Sequence, residues 1–126
     1  MKVLVVDDSS TMRRILVNCL SKMKITDVVQ AGDGTEALTQ FAAHGPFDLV
    51  LTDWNMPQMN GLELLKAIKA DAKNAALPVV VVTTEAEKER IVEAVKCGAA
   101  NYIVKPFTPE ILFEKLKSLI TVDNPA

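Results

Sequence analysis

The fold of this chain is decided by one stretch, Leu49-Val50-Leu51-Thr52-Asp53-Trp54-Asn55-Met56-Pro57. Its first four residues are typical of a buried strand, and Asp53 follows them where the backbone has to turn, because Met56-Pro57 and Asn60-Gly61 cannot continue a strand. In an open α/β sheet, reactive groups collect in the loops at the carboxyl ends of the strands. The stretch therefore predicts a reactive carboxylate, Asp53, at one edge of a sheet.

A second acidic element ends another apolar run in the same way. Asp7 and Asp8 come directly after Val3-Leu4-Val5-Val6, a run with the β-branched residues of a strand that is covered on both faces. Carboxylates brought into one pocket repel each other strongly unless a hard cation lies among them. We therefore predict an acidic, Mg²⁺-binding pocket in which Asp7 and Asp8 lie beside Asp53.

Strand-like and helix-like patterns alternate along the whole chain. Short connections in such an alternation require a parallel sheet with right-handed crossovers and helices on both faces. The alternation alone does not determine the strand order, but the acidic residues can meet only if the first strand lies beside the third. We therefore predict an α/β, doubly wound, flavodoxin-like (βα)5 fold with a five-stranded parallel sheet in the order 2-1-3-4-5.

Helix boundaries follow from capping residues and from glycine or proline. Asp33 and Thr108 are predicted to begin helices, the cap of the first helix is predicted among Ser9, Ser10 and Thr11, and Gly45-Pro46 and Gly98 are predicted to end helices. The third helix is predicted to start near Leu62 and to run to about Ala72, and the fourth to open at Glu85. The predicted inward positions of the last two helices are Ile91, Val92, Ala94 and Val95, and Ile111, Leu112, Leu116, Leu119 and Ile120.

Length and composition exclude several classes of protein. The chain has 126 residues and a net charge of −2, so we expect one domain over residues 1–122, a frayed tail at 123–126, and no basic field for nucleic acid. No apolar run is long enough for a signal peptide or a membrane span, which favours a cytoplasmic protein without membrane contact, and we expect it to be a monomer. Cys19 and Cys97 lack CxxC spacing, and the sole histidine, His44, precedes Gly45-Pro46, so a zinc site is not expected.

Five short motifs occur in order along the chain: Val5-Val6-Asp7-Asp8, Ser10-Thr11-Met12-Arg13-Arg14, Thr52-Asp53-Trp54-Asn55-Met56-Pro57, Gly61-Leu62-Glu63-Leu64-Leu65, and Gly98-Ala99 leading to Tyr102 and Lys105-Pro106-Phe107. In this order and spacing they resemble bacterial response-regulator receiver domains over nearly the whole chain. The Asp-Trp-Asn-Met-Pro run resembles in particular the single-domain chemotaxis regulators of that family.

The resemblance implies a site that accepts a phosphoryl group. Asp53 matches the phosphoacceptor, which attacks a phosphohistidine of a sensor kinase and becomes an acyl phosphate. The implied Mg²⁺ ligands are Asp8 directly, Asp7 largely through water, Asp53 itself and the backbone carbonyl of Asn55. Lys105, joined to Pro106 by a cis peptide bond in the family, matches the cation that pairs with the phosphoryl oxygens.

The resemblance also implies a switch and a partner surface. Thr83 matches the hydroxyl that hydrogen-bonds the phosphoryl group, and Tyr102 the ring that turns inward when Thr83 moves. Lys88, Ile91, Tyr102 and Lys115 match partner-binding positions on the fourth helix, fifth strand and fifth helix. Departures from the family pattern are Ser9, Asn60, Thr84 and Glu87, and the last two lie near the implied docking surface.

Each residue also has a simpler interpretation. A single aspartate could cap a helix or turn, Thr83 could be an N-cap, Lys105 could be solvated, and Tyr102 could be an ordinary strand residue. The charged run from Glu85 to Glu93 is most simply a solvated helix face. For the acidic residues these interpretations are rejected because three aspartates occur with a matching lysine.

The implied function is that of a stand-alone response regulator in a two-component system, a switch that catalyses only its own phosphorylation and dephosphorylation. The implied partners are a histidine kinase of the CheA type, the flagellar switch protein FliM and a phosphatase. The alternative is a phosphorelay intermediate that passes its phosphoryl group to a histidine phosphotransfer protein. A phosphotransferase for small molecules is disfavoured because 126 residues leave no cap domain to enclose a substrate.

Overall fold

A computed structural model of the protein describes residues 1–84 and 88–120, without the side chain of Lys88. These residues form a five-stranded parallel sheet with helices on both faces, which confirms the predicted fold class. The strands are β1 (Lys2–Val6), β2 (Asp27–Ala31), β3 (Leu49–Asp53), β4 (Val79–Thr83) and β5 (Asn101–Val104). The helices are α1 (Ser10–Lys22), α2 (Gly34–His44), α3 (Gly61–Lys69), α4 (Lys88–Lys96) and α5 (Pro109–Leu116), with a 3₁₀ turn at Ala72–Asn74.

The strand order is β2-β1-β3-β4-β5, as predicted. Strand β1 pairs with both β2 and β3, so the connections run outward in opposite directions from β1 and β3. The register places Val6 beside Thr52, Asp53 beside Val82 and Thr83 beside Val104. The carboxyl ends of four neighbouring strands therefore lie at one edge, and this edge carries the predicted site.

The strands divide their apolar side chains between two cores. Successive side chains of a strand point to opposite faces of the sheet. Val3 and Val5 accordingly pack in one core with residues of α1 and α5, whereas Leu4 and Val6 pack in the other with residues of α2, α3 and α4. Because both faces are covered, β1, β3 and β4 are apolar at nearly every position rather than at alternate ones.

The predicted caps Asp33 and Thr108 are confirmed, and Ser9 is the cap among the three candidates of the first helix. The side chains of Ser9, Asp33 and Thr108 accept hydrogen bonds from the first turns of α1, α2 and α5. Asn60, where the family more often has aspartate, forms a capping box with Glu63, since its Oδ1 accepts the Glu63 N–H at 2.9 Å. An amide oxygen is sufficient for this role, so the departure at Asn60 leaves the start of α3 intact.

Helix α3 is shorter than predicted, because it ends at Lys69 and not near Ala72. Asp71 caps the following 3₁₀ turn by accepting the Lys73 N–H at 3.0 Å. The Lys69 ammonium donates to the carbonyl oxygens of Asn74 at 2.9 Å and Leu77 at 2.5 Å, which holds that turn against the end of the helix. The last residue of α3 thus bonds backbone carbonyls of the segment that follows the helix.

The predicted inward face of α4 is partly wrong. Val92 and Val95 are 51% and 54% exposed, while Ala94 is buried and Ile91 is half-buried. The buried stripe follows residues spaced by three along the helix, and the two valines lie beside it. Ile111 on α5, also predicted to face inward, is 46% exposed.

Two predicted features lie outside the described residues: the opening of α4 at Glu85, and the tail at 123–126 with the domain end at residue 122. None of the described helices has the length and hydrophobicity of a bilayer span.

Candidate functional site

Three carboxylates converge at the carboxyl edge of the sheet. Asp7 and Asp8 follow β1, Asp53 ends β3, and one oxygen from each lies within 4.8 Å of the others. Asp7 and Asp53 are buried, whereas Asp8 is exposed, so the cluster opens to solvent on the Asp8 side. A set of oxygen donors that opens to water suits Mg²⁺, which keeps several water ligands. The residues present therefore fit the predicted ion.

Lys105 supplies a positive charge inside this cluster. It follows β5, and its ammonium lies 2.8 Å from Asp7 Oδ2 and 3.4 Å from Asp53 Oδ1. Its backbone N–H donates to the Thr83 carbonyl oxygen at 2.7 Å, which ties the ends of β4 and β5 together. The Lys105–Pro106 peptide bond is cis, as the resemblance implied. One ammonium against three carboxylates leaves the pocket negatively charged.

Opposing interactions act on the pKa of the buried Asp53 carboxyl. Burial raises its pKa above the ordinary value, the Lys105 ammonium acts to lower it, and the Asp7 carboxylate acts to raise it further. The Trp54 N–H donates to Asp53 Oδ1 at 2.8 Å, which favours the ionised form. A bound cation would favour ionisation as well, and the ionised oxygen is the nucleophilic one.

The loop after Asp53 is held by a close backbone contact. The Gly61 N–H donates to the Trp54 carbonyl oxygen at 2.9 Å, at the start of α3. A Cβ at residue 61 would overlap the Asp53 carbonyl oxygen, so this approach requires glycine. Asn55 lies on the same loop, two residues after Asp53, with an exposed side chain. Its role as a ligand through the backbone carbonyl stays a prediction.

The predicted switch residues surround one small cavity behind the acidic cluster. Thr83 is the last residue of β4 and is buried, and Tyr102 on β5 is half-buried. The Lys115 ammonium lies 4.3 Å from the centre of the Tyr102 ring, so two of the predicted partner residues are in contact. The side chain of Lys88, a third, is not described. The cavity is lined by Trp54, Val81, Thr83, Arg90, Ile91, Ala94 and Tyr102.

Sequence reasoning assigned no role to two arginines at this edge. Arg13 donates from Nη1 to the Asp7 carbonyl oxygen at 2.5 Å and from Nε to Gln30 Oε1 at 3.2 Å. Residue 13 belongs to a quoted motif, but its main partner is a backbone carbonyl, which no sequence pattern displays. Arg90 was placed on a solvated helix face, yet it is half-buried and contacts the loop after Asp53.

The chain is similar to several known proteins. Residues 3–117 match the family model described as the response regulator receiver domain. The chain is 48% identical to the chemotaxis protein CheY1 of Helicobacter pylori over 124 residues, which are 98% of this chain and all of that protein. The chemotaxis response regulator CheY4 of Vibrio cholerae is 37% identical, with a TM-score of 0.85 over 94% of this chain and 98% of that one.

A third relative was solved with ligands. The CheY of Borrelia burgdorferi, in a complex with CheX, BeF3 and Mg²⁺, is 27% identical, with a TM-score of 0.87 over 94% of this chain and 88% of that one. All three relatives carry the name CheY and match nearly end to end.

Proposed function

The chain belongs to the response-regulator receiver family, and from that premise we propose that Asp53 is the phosphoacceptor of a stand-alone chemotaxis response regulator. The observation that carries the proposal is the buried Asp53 carboxylate, which lies among Asp7, Asp8 and the Lys105 ammonium. A cluster of this composition can bind a divalent cation and a phosphoryl group side by side. We expect the protein to act in the cytoplasm as a switch and not as an enzyme on other substrates.

The reaction follows from the charges at the site. A carboxylate oxygen of Asp53 forms a bond to phosphorus while the P–N bond of a phosphohistidine breaks, and the imidazole nitrogen keeps the electron pair and takes up a proton. A bound Mg²⁺ would neutralise negative charge on the oxygens of the transferring phosphoryl group. The Lys105 ammonium, which lies 3.4 Å from Asp53 Oδ1, can pair with a phosphoryl oxygen. Attack by water on the acyl phosphate later restores Asp53 and releases phosphate.

The output is expected on the face formed by α4, β5 and α5. The Thr83 hydroxyl can donate to a phosphoryl group on Asp53, which would leave space that the Tyr102 ring can enter. The surface then altered carries Lys88, Ile91, Tyr102 and Lys115, and the exposed Val92 and Val95 add apolar area beside it. We propose the flagellar switch protein FliM as the partner, a CheA-type histidine kinase as the donor, and a phosphatase as the means of resetting the switch.

Purified components test this function. A phosphorylated CheA-type kinase should transfer its label to the protein in Mg²⁺ and not in EDTA, and the labelled protein should bind a FliM peptide more tightly than the unlabelled one. Rapid passage of the label to a histidine phosphotransfer protein, with no gain in peptide binding, would support the phosphorelay alternative. Failure of the protein to accept label in Mg²⁺ from either the kinase or acetyl phosphate would contradict both proposals.

Thr83→Ala should separate phosphorylation from output. The variant should still accept phosphate, because the hydroxyl is not the nucleophile. The gain in peptide affinity on adding beryllofluoride, which mimics the phosphoryl group on Asp53, should shrink by about tenfold or more, since a hydrogen bond to a charged group contributes about 1.5–3 kcal/mol. Thr39→Ala is the matched control, because Thr39 is exposed on α2, outside the face formed by α4, β5 and α5. An undiminished gain in Thr83→Ala would mean that the signal leaves the pocket by another route.

A further inference from the structure

Helix α4 reaches the loop after Asp53 through Arg90. Arg90 Nη1 lies 3.4 Å from Asn55 Oδ1, and the guanidinium carbon lies 5.7 Å from the centre of the Trp54 ring. Arg90 is half-buried, and the Trp54 ring beneath it is 7% exposed. One side chain of α4 therefore contacts two consecutive residues of the loop that leads out of the reactive site.

Both of these loop residues are tied to the reactive centre. The Trp54 N–H donates to Asp53 Oδ1 at 2.8 Å, so a displacement of the Trp54 backbone changes a hydrogen bond of the reactive carboxylate. The Asn55 carbonyl is the ligand expected from the backbone of this loop. The Asn55 side chain is exposed, so its Arg90 contact limits how far this residue can move.

We propose that Arg90 is a positioning residue for the loop after Asp53. By donating to Asn55 and covering the Trp54 ring, its guanidinium holds the loop in the arrangement in which Asp53 and the Asn55 carbonyl can face a divalent cation. This inference rests on the proposed function, because it assigns Arg90 a role in forming the Mg²⁺ site. It also makes the position of α4, which borders the partner surface, sensitive to the state of that site.

The direction in which Mg²⁺ affinity changes when Arg90 is removed distinguishes loop positioning from charge repulsion. A guanidinium near a cation site repels the cation, so its removal should tighten Mg²⁺ binding if charge alone mattered. If Arg90 holds the loop, its removal should weaken Mg²⁺ binding, because the ligands must then be ordered when the ion binds. The two effects predict opposite changes in the dissociation constant.

Titration calorimetry of the full chain with Mg²⁺, at fixed ionic strength, makes this test. Arg90→Ala should weaken binding about two- to fivefold, as expected for loss of one hydrogen bond. Asn55→Ala, which keeps the backbone carbonyl, should weaken it to a similar extent, and the double variant no more than either single one. Lys96→Ala is the matched control, since it removes the same charge from the far end of α4 and should leave the affinity unchanged.

A second measurement uses no metal ion. Acrylamide should quench Trp54 fluorescence more strongly in Arg90→Ala than in the wild type, because the guanidinium covers the ring. Unchanged quenching, unchanged or tighter Mg²⁺ binding in Arg90→Ala, or additive losses in the double variant would each overturn the inference. Failure of the wild type to bind Mg²⁺ would instead contradict the proposed function itself, so the two failures are distinguishable.

Discussion

Asp53→Asn should reduce phosphorylation by acetyl phosphate or by a kinase to background, because the amide oxygen is not a nucleophile for phosphorus. The protein should stay folded, since asparagine nearly matches aspartate in shape and removes one of three neighbouring negative charges. Phosphorylation is measured by the incorporation of radiolabel and by the intact mass of the protein. Asp27→Asn is the matched control, because Asp27 is exposed at the amino end of β2, away from the site. Labelling of Asp53→Asn at the wild-type extent would place the acceptor elsewhere.

The same variant should be more stable than the wild type when no metal ion is present. Burial raises the pKa of Asp53, so the native state binds this proton more tightly than the unfolded state does. The resulting stabilisation is fully present below the ordinary pKa of 3.8 and is lost as the pH rises through the raised native value. Thus at neutral pH the ionised Asp53 lowers the free energy of unfolding of the wild type. Asparagine carries no charge, so the variant does not lose this stability.

Denaturant unfolding in EDTA, repeated from neutral pH to below the ordinary pKa of 3.8, measures the free energy of unfolding of both proteins. The stability gap between Asp53→Asn and the wild type should be widest at neutral pH and should narrow as the pH falls and Asp53 becomes protonated. A less stable variant at neutral pH would show that the Lys105 contact at 3.4 Å and the Trp54 hydrogen bond outweigh the cost of burying the charge.

Asp8→Ala should weaken Mg²⁺ binding about tenfold or more, which corresponds to about 1.4 kcal/mol. Asp8 is the exposed member of the acidic cluster, so its carboxylate faces the side from which a hydrated ion enters. Removing it takes away one oxygen ligand and one of the charges that attract the ion. The folded structure should persist, because the buried Asp7 keeps its contact with Lys105.

Trp54 fluorescence provides the titration signal, since Trp54 follows Asp53 and its N–H donates to Asp53 Oδ1. The matched control is Asp27→Ala, which removes an equal charge from the opposite end of the sheet and should leave the Mg²⁺ affinity close to that of the wild type. Wild-type affinity in Asp8→Ala, or a Trp54 signal insensitive to Mg²⁺ in folded wild-type protein, would contradict the assigned ligand set.

The strand order could not be predicted from local sequence patterns alone. Alternating patterns required parallel strands, but the order 2-1-3-4-5 was reached only by assuming that Asp7, Asp8 and Asp53 meet. In the structure β1 pairs directly with β3, and the acidic residues meet as a result. The assumption therefore led to the correct topology, although local pattern alone could not supply it.

Neighbouring residues of the chain encode the strands, the helix starts and the acidic strand ends. Continuous β-branched runs mark strands that are covered on both faces, and the caps Asp33 and Thr108 mark helix starts, because strand burial and capping act within a few residues of the chain. The acidic residues at the ends of two such runs were recognisable for the same reason.

Contacts between side chains that are far apart in the chain follow from the packing of the folded protein and not from local pattern. Lys105 contacts Asp7, 98 residues away, and Arg90 contacts Asn55, 35 residues away. Long side chains make such contacts between helices and strands, and packing sets the distances between those elements. From the sequence alone, Arg90 is predicted to be a solvated helix residue. Packing decided the exposure of Val92 as well, since one narrow stripe of α4 meets the sheet and the rest of its apolar surface faces solvent.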